Sequence, residues 1–75
     1  MKNYEVIREI YNTCSHKWGI DRKFQDEWET NDIEGLIASW YGDDMPKYEC
    51  EQLPDGTLVY TLDIALPERY SFTEF

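Results

Sequence analysis

The sequence predicts an α+β domain, in which two or three N-terminal helices are followed by an antiparallel β-hairpin. The sequence also allows a third strand at the C-terminus. Two observations carry this prediction. Apolar residues recur at three- and four-residue steps before Gly42, and they alternate with polar residues after it. Helices followed by strands along a chain are typical of α+β folds. With 75 residues, the chain is expected to form one small acidic domain spanning residues 1–75.

The first predicted helix covers residues 4–18. Asn3 is a suitable N-cap, and Gly19 is a suitable residue to end the helix. One apolar stripe runs along the segment and is formed by Tyr4, Ile7, Ile10, Tyr11, Cys14 and Trp18. This spacing is typical of an amphipathic helix.

The second predicted helix follows residue 31. Asn31 and Glu34 have the spacing of a capping box, and Gly42 ends the pattern. The apolar stripe follows the i, i+3, i+4, i+7, i+8 pattern and is formed by Ile33, Leu36, Ile37, Trp40 and Tyr41. Between the two helices, Phe24 and Trp28 stand four residues apart, which allows a short extra turn or third helix over residues 22–29.

The strands are predicted from a period of two. Tyr48 and Cys50 alternate with glutamates, and residues 53–57 (Leu-Pro-Asp-Gly-Thr) have turn chemistry. The second strand has the strongest alternation, with one face formed by Leu58, Tyr60, Leu62, Ile64 and Leu66. Pro67 ends it. Tyr70 and Phe72 alternate with polar residues, which allows the third strand.

Composition excludes several classes of protein. Sixteen acidic residues stand against seven Lys and Arg, which gives a formal charge of -9. Direct binding of nucleic acid is therefore disfavoured, because phosphate contacts need Lys and Arg. The apolar fraction of 41%, which includes three Trp, six Tyr and three Phe, is too high for a disordered acidic tail.

The sequence also favours a cytoplasmic location. The first residues are charged and lack the apolar stretch of a signal peptide. No apolar run approaches the roughly 20 residues of a membrane span. Two cysteines, Cys14 and Cys50, are too few for a disulfide scaffold, so both thiols are expected to be free and buried.

No motif indicates catalysis, a cofactor or a metal. His16 is the only histidine, and Cys14 lies two positions away, which on a helix directs the two side chains to different faces. The glycines are isolated, so no phosphate-binding loop is present. The spacing of acids and glycine that defines an EF-hand is absent. The sequence therefore predicts that the protein is not an enzyme, and no cofactor is expected.

The acidic residues are concentrated in the middle of the chain. Residues 25–56 contain ten Asp and Glu and a single cation, Lys47. Asp32 and Glu34 are explained by the start of a helix, where negative charge is favourable. Asp43 and Asp44 follow a predicted helix C-terminus, where negative charge is unfavourable. An unfavourable local choice without a compensating gain indicates function.

These acids predict a surface that binds a basic, nucleic-acid-handling protein. Glu49 and Glu51 would point the same way about 6.7 Å apart, close to twice the ~3.4 Å axial rise per phosphate of one strand. Aromatic residues beside the acids could anchor the interface or pack in the core, and they are Trp28, Trp40, Tyr41 and Tyr48. The predicted partner-binding residues are Asp26, Glu27, Glu29, Asp43, Asp44, Glu49, Glu51, Trp28 and Tyr48.

In size, charge and composition the chain resembles the small acidic phage-encoded inhibitors, which include anti-CRISPR proteins and other DNA mimics. The resemblance covers the whole chain and includes no alignable motif, so it assigns no residue a role. It implies an inhibitor without enzymatic activity that occupies the nucleic-acid-binding surface of its partner. An acidic immunity protein that neutralises a basic toxin is a variant of this reading. The alternative is a structural or regulatory interaction module, or a homodimer, whose acidity serves solubility.

Overall fold

The protein forms one antiparallel β-sheet and one α-helix. The computed structural model describes all residues, Met1–Phe75. In chain order the elements are β1 (Lys2–Asn12), β2 (Lys17–Ile20), β3 (Glu27–Thr30), α1 (Ile33–Tyr41), a 3-10 turn (Gly42–Asp44), β4 (Tyr48–Gln52), β5 (Leu58–Leu62) and β6 (Glu68–Glu74).

The long strand β1 organises the sheet. Strand β6 pairs with β1 on one side, and β5 and β4 follow in that direction. On the other side, β2 pairs with residues 9–12 of β1, and β3 pairs with residues 2–5. All pairings are antiparallel. The sheet therefore has two edges, one formed by β2 and β3 together and the other by β4 alone.

Helix α1 covers one face of the sheet, which we call the helix face. Its buried Ile33 and Ile37 join residues from β1, β5 and β6 in a core formed by Tyr4, Val6, Ile33, Ile37, Tyr60, Leu62, Tyr70 and Phe72. Successive strand residues point to opposite faces. On β1, Val6 is 2% exposed, whereas its neighbour Ile7 is 38% exposed. The second face, which we call the open face, is not covered by any element of the chain.

The predicted fold class is wrong, because the chain has six strands and one short α-helix instead of two or three helices and a hairpin. The predicted first helix, residues 4–18, corresponds to β1, a turn and β2. The proposed cap Asn3 and stop Gly19 lie within strands. Residues 22–29 contain no helix, and β3 begins at Glu27. The segment from Tyr4 to Tyr11 is rich in aromatic and β-branched residues, which fit a half-buried pleated surface.

The structure does contain the second helix and the hairpin. Helix α1 begins after Asp32, whose Oδ1 accepts a hydrogen bond of 3.1 Å from the Gly35 N–H, so Asp32 and not Asn31 is the N-cap. Gly42 ends it with φ +63°. Strands β4 and β5 form the hairpin, and Gly56 takes φ +92° in its turn. The possible third strand is formed, and β6 lies at the centre of the sheet.

The environment of the cysteines differs from the prediction. Both are free, but both are exposed, Cys14 in the turn between β1 and β2 and Cys50 on β4. The expected burial is wrong because it relied on a helical stripe and on a covered hairpin. The one α-helix has nine residues and is too short to span a membrane.

Candidate protein-binding face

The first acidic rim lies where β1 and β3 pair. Glu27 and Glu29 alternate with Trp28 along β3, so they share the open face. Glu5 on β1 stands directly opposite Glu27, and Asn3 stands opposite Glu29. All three glutamates are exposed. We call Glu5, Glu27 and Glu29 the β3 rim.

The second acidic rim lies on β4. Glu49 and Glu51 stand opposite Thr61 and Val59 of β5, and they share the open face with the β3 rim. Four strand-to-strand steps separate β3 from β4, which corresponds to about 19 Å between the two strands. We call Glu49 and Glu51 the β4 rim.

Uncharged side chains occupy most of the open face between the two rims. They are supplied by β1, β5 and β6, and they are Ile7, Val59, Thr61, Ser71 and Thr73. Ile7 is exposed, and Val59 is half-buried. The open face thus has two negative borders, and between them its only charged side chains are the paired Glu9 and Arg69.

Negative charge dominates the open face, and most of it has no internal partner. The strand residues of this face include six glutamates and one cation, Arg69. Arg69 is held by Glu9 at 2.9 Å and lies over the Trp18 ring at 4.3 Å. The five glutamates of the two rims take part in none of the four ion pairs of the protein.

The position of Glu5 directly opposite Glu27 is unfavourable. In an antiparallel pair, directly opposite side chains have Cβ atoms about 4.5–5.5 Å apart, and like charges at that separation destabilise the sheet. Both side chains are exposed, so solvent screens part of the repulsion. A polar uncharged residue at either position would avoid this repulsion.

The structure divides the predicted partner-binding acids between two layers. Glu27, Glu29, Glu49 and Glu51 lie on the open face. Asp43 and Asp44 lie in the 3-10 turn directly after α1, in the helix layer, so the structure does not bring them to the two rims.

The other predicted acid and the two aromatic residues also lie apart from the open face. Asp26 immediately precedes β3, where its carbonyl accepts a hydrogen bond of 2.7 Å from the Val6 N–H. Trp28 and Tyr48 lie on the helix face. Trp28 packs against Trp40 with ring centroids 5.1 Å apart. Tyr48 packs against Tyr60 at 5.7 Å and donates a hydrogen bond of 3.0 Å to Glu34.

Glu5 is not among the predicted partner-binding residues, because it lies inside the predicted first helix. A period of two from Tyr4 to Ile7 was the available signal, and it would have grouped Glu5 with the outward residues of a strand. The opposition of Glu5 and Glu27 depends on a pairing between distant segments, and no local pattern encodes it.

A half-buried polar network surrounds Arg8 on the helix face. Arg8 on β1 contacts Asp21 at 2.6 Å, Glu68 at 2.9 Å and the Tyr70 hydroxyl at 3.1 Å. The Tyr41 hydroxyl donates to Glu68 and lies 2.9 Å from the Tyr70 hydroxyl. No buried side-chain N or O atom of the protein lacks a hydrogen-bond partner. The network joins β1 and β6 to the loop after β2 and to the end of α1.

The network shifts the pKa values of several of its members, and Arg8 and Tyr41 are shifted upward. Burial disfavours the charged guanidinium, but hydrogen bonds and charges of Tyr70 and Glu68 outweigh it and raise the pKa of Arg8 above its ordinary value. Burial, together with hydrogen bonds to Glu68 and Tyr70, raises the pKa of Tyr41. Elsewhere, burial and a hydrogen bond to Cys50 raise the pKa of Tyr60, and the hydrogen bond to Glu34 raises the pKa of Tyr48.

These three tyrosines predict loss of stability in alkali. A tyrosine whose pKa is higher in the folded than in the unfolded state stabilises the fold fully below its unfolded value, about 10, and this contribution is lost as the pH rises through the folded value. We expect the free energy of unfolding to fall above about pH 10. Denaturant titrations at increasing pH measure it. Tyr41→Phe should flatten the decline, and an unchanged free energy well above that pH would contradict the role of these hydroxyls.

No family model, curated protein or solved structure matches the chain. No group of three or more His, Cys, Asp and Glu side chains is placed to hold a metal ion. The candidate site is an uncovered sheet face with two acidic rims.

Proposed function

We propose that the protein is a non-enzymatic inhibitor, whose open face binds the basic nucleic-acid-binding surface of a partner protein. One observation carries the proposal: five exposed glutamates without ion-pair partners border one uncovered sheet face. Its action would resemble that of the anti-CRISPR proteins and other DNA mimics encoded by phages. Such an inhibitor would act in the cytoplasm of the host cell.

The energetics of the open face support this proposal. The repulsion between Glu5 and Glu27 weakens the free protein, and a Lys or Arg of a partner placed between them would relieve it. Opposite charge also steers the two proteins together and raises the association rate at low salt. Nucleic acid would compete for the same Lys and Arg residues of the partner, and this competition is the basis of the proposed inhibition.

The alternative is a homodimer or an interaction module whose acidity serves solubility. The charge of the open face argues against a second copy on this face, because two such faces would bring glutamates of both rims against each other. Like charges across an interface are unfavourable. An acidic surface that serves solubility alone would need no particular arrangement of its charges.

The proposal is tested with three double variants that remove the same charge. Glu27→Gln with Glu29→Gln changes the β3 rim, and Glu49→Gln with Glu51→Gln changes the β4 rim. Asp43→Asn with Asp44→Asn is the matched control in the helix layer. Each protein is immobilised and exposed to the bacterial proteins that bind DNA–cellulose. We expect wild type to retain one or more of these proteins in low salt and to release them to duplex DNA.

Affinities are then measured for a retained protein. Each rim variant should bind about two- to thirtyfold more weakly at low salt, if each of the two lost contacts contributes about 0.2–1 kcal/mol, as an exposed ion pair does. The control should bind like wild type, and the differences should shrink as salt screens the charges. Equal weakening by all three variants would indicate an effect of net charge and refute the open face. Simultaneous binding of DNA and this protein to the partner would refute competition.

A further inference from the structure

Strand β4 is an open edge of the sheet. All five of its residues, Tyr48–Gln52, are exposed, and the strand pairs with β5 alone. No element of the chain pairs with its outer side. Such an edge presents unpaired backbone N–H and C=O groups to solvent, and these groups can pair with another strand.

The register shows which residues carry the free backbone groups. The Leu53 N–H donates to the Thr57 carbonyl and the Asp63 N–H donates to the Lys47 carbonyl, each at 2.8 Å. Hydrogen-bonded and non-hydrogen-bonded pairs alternate along an antiparallel ladder. The odd-numbered residues from Lys47 to Leu53, which include the β4 rim, therefore direct their backbone N–H and C=O groups to β5. The even-numbered residues direct their N–H and C=O groups outward, and they are Tyr48, Cys50 and Gln52.

This alternation defines what an added antiparallel strand would meet. Its backbone would bond to Tyr48, Cys50 and Gln52. Its residues opposite Glu49 and Glu51 would occupy the non-hydrogen-bonded pairs, in which the Cα atoms approach to about 4.5 Å and side chains lie closest. Those residues would share the open face with the two glutamates. Lys or Arg at two alternate positions would therefore place one cation beside each glutamate.

We propose that the β4 edge accepts an extended basic segment of the partner as an additional strand, with Lys or Arg opposite Glu49 and Glu51. The inference rests on the proposed function and specifies how the partner binds. Backbone hydrogen bonds supply affinity in this mode of recognition, and alternate side chains supply specificity. The absence of ion pairs at Glu49 and Glu51 leaves both carboxylates free for the cations.

In the register of full overlap, charge disfavours a second copy of the chain as the added strand. If two β4 strands paired antiparallel with Cys50 opposite Cys50, Glu49 of each would stand opposite Glu51 of the other. Four carboxylates would then meet in the closest pairs of the new ladder, which is unfavourable. A basic strand meets the same positions with opposite charge.

Two peptides of the same composition test the inference. Both consist of threonine with two lysines and have blocked termini. The lysines stand at alternate positions in one peptide and at adjacent positions in the other. A strand of the first peptide presents both lysines to the open face, whereas a strand of the second presents only one. We expect the alternating peptide to bind at least a few-fold more tightly in titration calorimetry.

Cys50→Pro and Cys50→Val test the backbone contribution. The Cys50 N–H points outward, and proline is tolerated at such edge positions, so the fold should be retained. Proline removes one donor and blocks the approach of a strand, while valine retains the donor. We expect Cys50→Pro to bind the alternating peptide about tenfold more weakly than Cys50→Val, which corresponds to about one hydrogen bond. Circular dichroism of both variants checks the fold.

Equal binding of the peptide by the two Cys50 variants, both folded, would overturn strand addition, as would equal binding of the two peptides by wild type. Failure of the alternating peptide to bind wild type at millimolar concentration would also overturn it. None of these results would refute the proposed function. The rim variants test that function separately, because wild type could capture DNA-binding proteins, and the rim variants could lose them, without strand addition.

Discussion

Phe72→Ala is expected to unfold the domain at room temperature. The side chain is 1% exposed and lies on the central strand β6. Its ring meets Tyr4 and Tyr60 edge-on, with centroids 6.0 and 5.9 Å apart, and is stacked with Trp40 at 6.4 Å. Truncating a buried Phe costs about 3–5 kcal/mol. A core of this size rarely supplies more than about 3–5 kcal/mol in total.

Thermal melting followed by far-ultraviolet circular dichroism measures the effect. Leu66→Ala is the control, since Leu66 is 55% exposed and its truncation should change the free energy of unfolding by less than about 0.5 kcal/mol. If Phe72→Ala cannot be purified, Phe72→Leu should still lower the free energy of unfolding by about 1–1.5 kcal/mol. Cooperative melting of Phe72→Ala at the wild-type temperature would contradict the proposed core.

The N-terminal part of the fold could not be predicted because two patterns coincide there. Tyr4, Ile7 and Ile10 satisfy a helical spacing, while Tyr4 and Val6 satisfy the alternation of a strand. The deciding interaction is non-local. Strand β1 pairs with β6 through residues more than fifty positions away, such as Val6 with Phe72, and local sequence does not reveal that pairing.

Helix α1 and the β4–β5 hairpin could be predicted because their signals are local. The helix has a continuous apolar stripe, an acidic N-cap region and a glycine at its end. The hairpin has a Pro-Asp-Gly turn between two alternating segments. Even there, the members of the predicted stripe are not buried equally. Ile37 is fully buried, whereas Leu36 is only half-buried against the core.

The candidate site was predicted in part. The alternation around Cys50 correctly placed Glu49 and Glu51 on one face of a strand. Glu27 and Glu29 were selected for charge density alone, and the pairing of β3 with β1 places them on the same open face. The position of Asp43 and Asp44 after a helix end was also correct, but proximity in sequence to other acids did not bring them to the two rims.

Arg8→Met is expected to destabilise the protein by about 2–3 kcal/mol, somewhat less than the 3–5 kcal/mol of a fully buried pair. The Arg8 side chain is 18% exposed, and it is the only cation in contact with Glu68, which is 16% exposed. Methionine would retain much of the packing volume but leave Glu68 without a counter-ion in a half-buried site. Tyr70 would also lose the hydrogen bond from the guanidinium.

Urea denaturation of wild type and Arg8→Met measures the difference. Lys2→Met is the matched control because it removes the same charge from an exposed pair with Glu74, and it should cost about 0–1 kcal/mol. Equal effects of the two substitutions would show that the Arg8 network contributes no more than a surface ion pair.

The effect of Arg8→Met should depend on pH with a defined sign. A hydrogen bond from the Lys23 N–H, together with the contact with Arg8, lowers the pKa of Asp21. A carboxyl with a lowered pKa stabilises the fold above its unfolded value, near 3.9, and this contribution is lost as the pH falls through the folded value. The variant lacks the Arg8 part of that contribution. The gap between wild type and Arg8→Met should therefore narrow below about pH 4, whereas a gap that is constant or widens there would show that Arg8 acts through packing and not through its charge.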